Sequence, residues 1–156
     1  MCVLKVNIFR KGGFMNKRII VAIYIRVSTK KQVEEGYSLD AQLDILQKFC
    51  ENNGYILYKV YADEGKSGKD TNRPAFQEMM KDMRNGHFNK ILVTKLDRIS
   101  RSLIDLENLI KDLQKNNCDF ESASEKIDTN SAMGLMFIRL LGIFAQFERE
   151  RISERI

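Results

Sequence analysis

Three short apolar runs, IIVAIYI (19–25), YILYKVY (55–61) and KILVTKL (90–96), constrain this chain most, because a helical pattern follows each of them. CDFES (118–122) is a weaker fourth run. A strand that is apolar on both faces must be covered on both, so the alternation predicts an α/β fold: a mainly parallel sheet of four to five strands flanked by helices.

The helices carry their own start and stop signals. Ser38 is placed as an N-cap with Asp40 in the first turn, and Leu39, Leu43, Leu46 and Cys50 share one face before Gly54 ends the helix. Pro74 suits a first helical position, and Phe76, Met79, Met80 and Met83 follow at i, i+3, i+4 and i+7, which makes the methionines core residues. SLID (102–105) has capping-box spacing and opens a helix with Leu103, Leu106, Ile110 and Leu113 inward.

From Ser131 the chain reads as one long helix, with eleven of the fifteen residues from Met133 to Phe147 apolar. A helix apolar around so much of its girth needs two partners: its own domain and, on this reading, a second subunit. A central core helix is the alternative. After Phe147 comes ERERISERI, charged and without a Gly or Pro stop, so the helix is expected to continue past Ile156.

Length and charge narrow the class. The 156 residues suffice for one domain with a real core. Net charge is +5, yet Lys5, Arg10 and Lys11 supply three of those charges; from Met15 onward 23 basic residues face 21 acidic ones, so phosphate binding must come from local clusters. Cys2, Cys50 and Cys118 are far apart without a CxxC spacing, which points away from a disulfide framework or a zinc site and fits a reducing cytoplasm. No segment reaches the ~18 uninterrupted apolar residues of a membrane span. The N-terminal leader lacks the apolar stretch and cleavage site of a secretory signal. KGGFM (11–15) can be encoded as AAA GGA GGT TTT ATG, a purine-rich ribosome-binding sequence before an ATG, so Met15 is the expected natural start.

Ligands of open α/β sheets bind outside the carboxyl ends of the strands. That rule selects Arg26, Ser28, Thr29 and Gln32 after the first strand, DEGKSGKDTNR (63–73) after the second, and Lys95, Asp97, Arg98 and Arg101 after the third. Arg26, Arg73, Arg98 and Arg101 thus converge on one edge with Ser28 and Ser67. Planar guanidinium groups grip anionic oxygens in pairs, and fixed cations favour a pentacovalent phosphoryl transition state over the diester ground state. The single histidine, His87, sits beside Gly86 in an expected turn, and no carboxylates cluster on these loops, so the nucleophile is expected to be a side chain among cations, with Ser28 best placed. On pattern alone Ser67 is an ordinary loop residue, and Asp97 can pair with Arg98 or Arg101.

Five blocks in order, YIRVSTKKQ, SLDAQ, DEGKSGKDTNRPAFQEMM, LDRISR and MGLMFIRLLGIFAQFERERISER, resemble the serine recombinases, and within them the large serine recombinases that act as phage integrases or transposon-excising enzymes. The resemblance covers about residues 19–156, and Val33 to Tyr37, inserted before SLDAQ, is similar to the large subgroup. It implies a resolvase-like catalytic domain in which Ser28 attacks a DNA phosphodiester, forms a 5′-phosphoserine link and frees a 3′-hydroxyl, with no cofactor, metal or ATP. Arg26, Arg73, Arg98 and Arg101 match the family's active-site arginines. Gln42, Ser67 and Asp97 match further positions, and Tyr24, Gln32 and Lys95 join them in support. Which group takes the proton from Ser28 is left open, Asp97 being one candidate.

The resemblance also implies double-stranded DNA at attachment sites as partner, and a homodimer that forms a tetrameric synaptic complex on the bacterial nucleoid, in the cytoplasm and away from membranes. Met136, Phe137, Leu140 and Phe144 would serve the interface, and Arg149, Glu154 and Arg155 the DNA or the interface. The expected division is a disordered leader outside the family pattern (1–15), an α/β catalytic domain (16–130) and the start of a long oligomerisation helix (131–156) leading to DNA-binding domains beyond this chain. A phosphoryl-receiver domain would share the alternation but needs acids where Arg26 and Ser28 stand. The non-enzyme alternative is a catalytically silent DNA-binding or assembly module of the same fold.

Overall fold

The computed structural model describes residues 17–27, 39–64, 73–100 and 102–155. The expected leader, the Ser38 cap, and Ser28, Gln32, Ser67 and Arg101 lie outside the described residues. Strand β1 (Ile20–Val27) is followed by α1 (Leu39–Asn53), β2 (Ile56–Glu64), α2 (Pro74–Arg84) and β3 (Lys90–Val93). A 3-10 turn (Leu96–Arg98), α3 (Leu103–Lys115), β4 (Asp119–Ser122), β5 (Ile127–Asp128) and α4 (Ala132–Glu154) complete the order.

The sheet runs β2-β1-β3-β4-β5, parallel through the first four strands, with β5 antiparallel to β4. The chain steps from β1 out to β2 and then returns to the other side of β1 for β3. The crevice at the carboxyl ends of β1 and β3 therefore lies where the strand order reverses.

Strand alternation divides the core. Ala22 and Tyr24 of β1, Tyr61 of β2, Ile91 and Val93 of β3 and Phe120 of β4 face α2, α3 and α4, whose Met79, Met80, Met83, Leu106, Ile110, Leu113 and Leu141 pack on them. Val21, Ile23, Ile25 and Leu92 face the other way, onto Leu46 and Cys50 of α1. One helix cannot cover that whole face. Beyond it Lys90, 1% exposed, pairs with Glu121 at 3.0 Å and Asp128 at 2.9 Å and lies over the Tyr55 ring. Burial alone would lower the Lys90 ammonium, but hydrogen bonds to Asp128 and Glu121 outweigh it and hold its pKa above the ordinary lysine value.

The elements differ from the sequence pattern at a few places. β1 runs past the apolar residues because Arg26 and Val27 stay in the ladder opposite Asp63 and Glu64. β3 stops at Val93, short of Leu96, because the Arg98 N–H bonds the Lys95 carbonyl and tightens the chain into a 3-10 turn. Leu103, expected inward, is exposed in the first turn of α3. Glu107 is buried instead, paired with Lys111 at 2.7 Å and with Arg149 of α4 at 3.1 Å. The Lys111 hydrogen bond, reinforced by Arg149, holds the Glu107 carboxyl below its ordinary value.

Helix α4 is 23 residues long, about 34 Å at the usual rise. Ser131 caps it, accepting from the Gly134 N–H at 2.9 Å while donating to the Asp128 carbonyl at 2.7 Å. Gly134, Leu141 and Ala145 are buried, with Phe137 and Ile138 partly so. Phe137 therefore packs on its own domain. Met133, Met136, Leu140, Ile143, Phe144 and Phe147 are exposed along the opposite side. Among the described residues no helix is long and apolar enough to cross a membrane.

A Cβ on Gly134 would lie 1.7 Å from the Asp128 carbonyl oxygen, so the start of α4 seats directly on β5. Gly134→Ala is expected to lower stability by about 1–3 kcal/mol as an overpacked contact, measured by denaturant unfolding. An unchanged midpoint would show that α4 does not seat there.

Candidate active site

The carboxyl edge of the sheet is organised around Tyr24. Its hydroxyl donates to Asp63 Oδ2 at 2.9 Å and accepts from Arg73 Nε at 3.0 Å. Burial pushes the Tyr24 phenol up to about 12, against the opposing pull of Arg73, so it remains a neutral donor at ordinary pH. Arg26 follows two residues on, on the same side of β1, 8% exposed and in register with Asp63.

Asp63 has a second task. Helix α2 begins at Pro74, which has no N–H, and the residue before it, Arg73, makes no side-chain cap. The free N–H groups of Ala75 and Phe76 instead donate to Asp63 Oδ1 and Oδ2, at 2.9 and 3.0 Å. The carboxylate at the end of β2 thus caps α2 from outside and sets where Arg73 stands.

Arg73 is held from three sides. Besides its bond to Tyr24, its Nη1 donates to the Ile99 carbonyl at 2.7 Å, and its guanidinium lies 4.1 Å from the Phe76 ring centroid. Nη2 is buried with no hydrogen-bond partner among the described residues. Ile99 directly follows the 3-10 turn, so Arg73 also anchors the segment that carries Asp97 and Arg98. In that turn the Arg98 side chain is 11% exposed, the Asp97 side chain 68%, and the two approach to 3.8 Å.

The described residues thus place Arg26 and Arg73 beside the Tyr24–Asp63 pair, and tie the turn that carries Arg98 to Arg73 through Ile99. Lys95 is half-buried at the start of the turn. Gln42 is buried in α1, which covers the other face of the sheet. Arg149 is engaged with Glu107, whereas Glu154 and Arg155 are exposed at the end of α4. Sequence reasoning missed Asp63 as a cap and Phe76 as a stacking partner. One signal was available: a Pro at the first helical position, preceded by an arginine, leaves helix N–H groups that need an acceptor from elsewhere. Among the described residues no cluster of three or more His, Cys, Asp or Glu side chains can hold a metal ion.

Comparisons with known proteins place the chain in a family. The family model described as Resolvase, N terminal domain, matches residues 21–156. The N-terminal catalytic domain of TP901-1 integrase is 48% identical, with 84% of this chain and 97% of that domain covered and a TM-score of 0.76. A resolvase family site-specific recombinase from Streptococcus pneumoniae is 34% identical, with 88% and 93% covered and a TM-score of 0.77. The DNA-invertase Hin of Salmonella typhimurium is 36% identical over 133 residues, 85% of this chain. The chain spans 62% of the length of Hin and 26% of a longer Bacillus subtilis relative. The chain belongs to the resolvase N-terminal domain family, and its fold is that of serine recombinase catalytic domains.

Replacing Asp63 with Ala removes the acceptor for two helix N–H groups and for Tyr24. Stability is expected to fall by about 1–2 kcal/mol, the range for losing a helix cap, read as a lower denaturant midpoint at unchanged slope. Asp63→Asn, which keeps one acceptor oxygen, should recover part of the loss; equal stability of all three proteins would refute the cap.

Proposed function

We propose that this chain is the catalytic domain of a site-specific DNA recombinase of the phage or transposon integrase type, with Ser28 as nucleophile. The observation that carries the reading is Arg73: it is clamped by Tyr24, Ile99 and Phe76, yet keeps one buried N–H group without a partner among the described residues. A rigid cation with a donor to spare suits a phosphate oxygen better than a structural ion pair.

In this mechanism the Ser28 oxygen forms a bond to the DNA phosphorus while the bond from phosphorus to the 3′-oxygen breaks. The serine proton leaves to a base, and the departing 3′-oxygen takes up a proton. Arg26, Arg73, Arg98 and Arg101 balance the extra negative charge of the pentacovalent state. The 5′-phosphoserine keeps the bond energy, so the reverse attack by a 3′-hydroxyl rejoins the strand without ATP.

Covalent capture on nicked duplexes of randomised sequence tests this. The wild-type chain is expected to give a denaturation-resistant protein to 5′-phosphate adduct, and Ser28→Ala none. Arg98→Lys should retain folding but lower the adduct rate by at least about tenfold, because lysine loses the planar fork. No Ser28-dependent adduct would favour the silent assembly module.

The exposed stripe of α4 suits a second copy of the chain, and the tetramer of a synaptic complex would follow from pairing of such dimers. Met133, Met136, Leu140, Ile143 or Phe144, and Phe147 recur at alternating three- and four-residue steps, the spacing of helices that pack side by side. Sedimentation at rising concentration is expected to show self-association, lost in Leu140→Glu/Phe144→Glu, which alters only exposed positions. A wild-type chain that stays monomeric throughout would count against the interface.

A further inference from the structure

The 3-10 turn that carries Asp97 and Arg98 has no cap of its own. The residue before it, Lys95, is extended and makes no side-chain cap. Its first N–H, that of Leu96, donates instead to Glu125 Oε1 at 2.7 Å. Glu125 lies 29 residues further along the chain, in the connection between β4 and β5.

That connection is itself firmly placed. The N–H groups of Ala123 and Ser124 bond the carbonyls of Val93 and Thr94, continuing the contact between β3 and β4 past the end of the sheet. Ser122 Oγ lies 3.3 Å from both Glu125 Oε1 and the Thr94 carbonyl. Next to Glu125, Lys126 sits at φ 53°, in the left-handed region that costs a side-chain-bearing residue free energy. Such a conformation persists where its surroundings over-determine it. The other end of the turn is held by Arg73 on the Ile99 carbonyl.

We infer that Glu125 is a positioning residue for Arg98: it fixes the amino end of the catalytic-edge turn, as Arg73 fixes the carboxyl end. Residues 127 and 128 then form β5, and the Asp128 carbonyl receives the Ser131 cap of α4. The same short hairpin therefore touches both the Arg98 turn and the root of the long helix. A displacement of α4 on the sheet has a direct route to Arg98 through Glu125. This role rests on the recombinase reading of the site.

The test compares Glu125→Ala and Glu125→Gln with wild type in two measurements. The first is amide exchange at Leu96 and Arg98, followed by NMR. Glu125→Ala is expected to speed exchange at these amides at least tenfold while the β1 and β3 amides keep their protection; Glu125→Gln, whose side-chain oxygen can still accept, restores slow exchange. The second is adduct formation on the nicked duplexes, where Glu125→Ala is expected to slow the step ten- to a hundredfold with duplex affinity changed less than twofold, and Glu125→Gln to recover most of the rate.

Exchange that rises throughout the sheet, or not at all, overturns the cap. A wild-type protein that reacts no faster than Glu125→Ala overturns the positioning role. A wild-type protein that forms no adduct overturns the recombinase reading, while the exchange data still decide whether Glu125 holds the turn.

Discussion

The Asp63 carboxylate is the constraint on which the carboxyl edge of the sheet depends. It stands one residue before the end of β2, accepts the Tyr24 hydroxyl from the neighbouring strand, and receives the first free N–H groups of α2. One anionic group thereby fixes a strand, a phenol and a helix relative to one another. Arg73 stands at their junction, so its place follows from backbone geometry and not from a flexible loop. A guanidinium set in this way is pre-organised for an anion, and pre-organisation makes a cation useful to a transition state as well as to a ground state.

The unequal covering of the sheet shapes the rest. Three helices bury one face in a continuous apolar core, whereas among the described residues α1 is the one helix on the other. Lys90, Glu121, Asp128 and Tyr55 complete that second face with a buried polar network. Removing Lys90 would leave the Glu121 and Asp128 carboxylates without their cation, a loss that typically costs about 3–5 kcal/mol for a buried pair, so the network favours one arrangement of β3, β4 and β5. Asp128 belongs both to this network and to the seat of α4, which ties the attitude of the long helix to the sheet.

The site and the proposed assembly surface are thus close in covalent and hydrogen-bonded terms. The hairpin through β5 links the turn of Arg98 to the first residues of α4, and α4 presents its unpaired apolar stripe along the side away from α3. The family relationship and the fold rest on the full α/β unit, and the same unit supplies this connection.

Much of the fold was legible in the chain because the relevant signals are local. The apolar runs, Pro74 at a first helical position, the Met79, Met80 and Met83 face and the capping box at Ser102 depend on neighbours within a few residues, and the elements stand where those patterns put them except at the ends of β1 and β3. That Arg26, Arg73 and Arg98 stand at or beyond the carboxyl ends of strands was legible for a similar reason, since those positions come after the apolar runs. Long-range partners carry no such local mark. That Asp63 caps α2, that Arg149 of α4 pairs with the buried Glu107 of α3, and that Glu125 holds Leu96 were decided only when the fold brought distant segments together. Residue type and spacing determine which groups are available for chemistry; tertiary packing determines which backbone groups are left needing a partner, and so where those chemical groups are held.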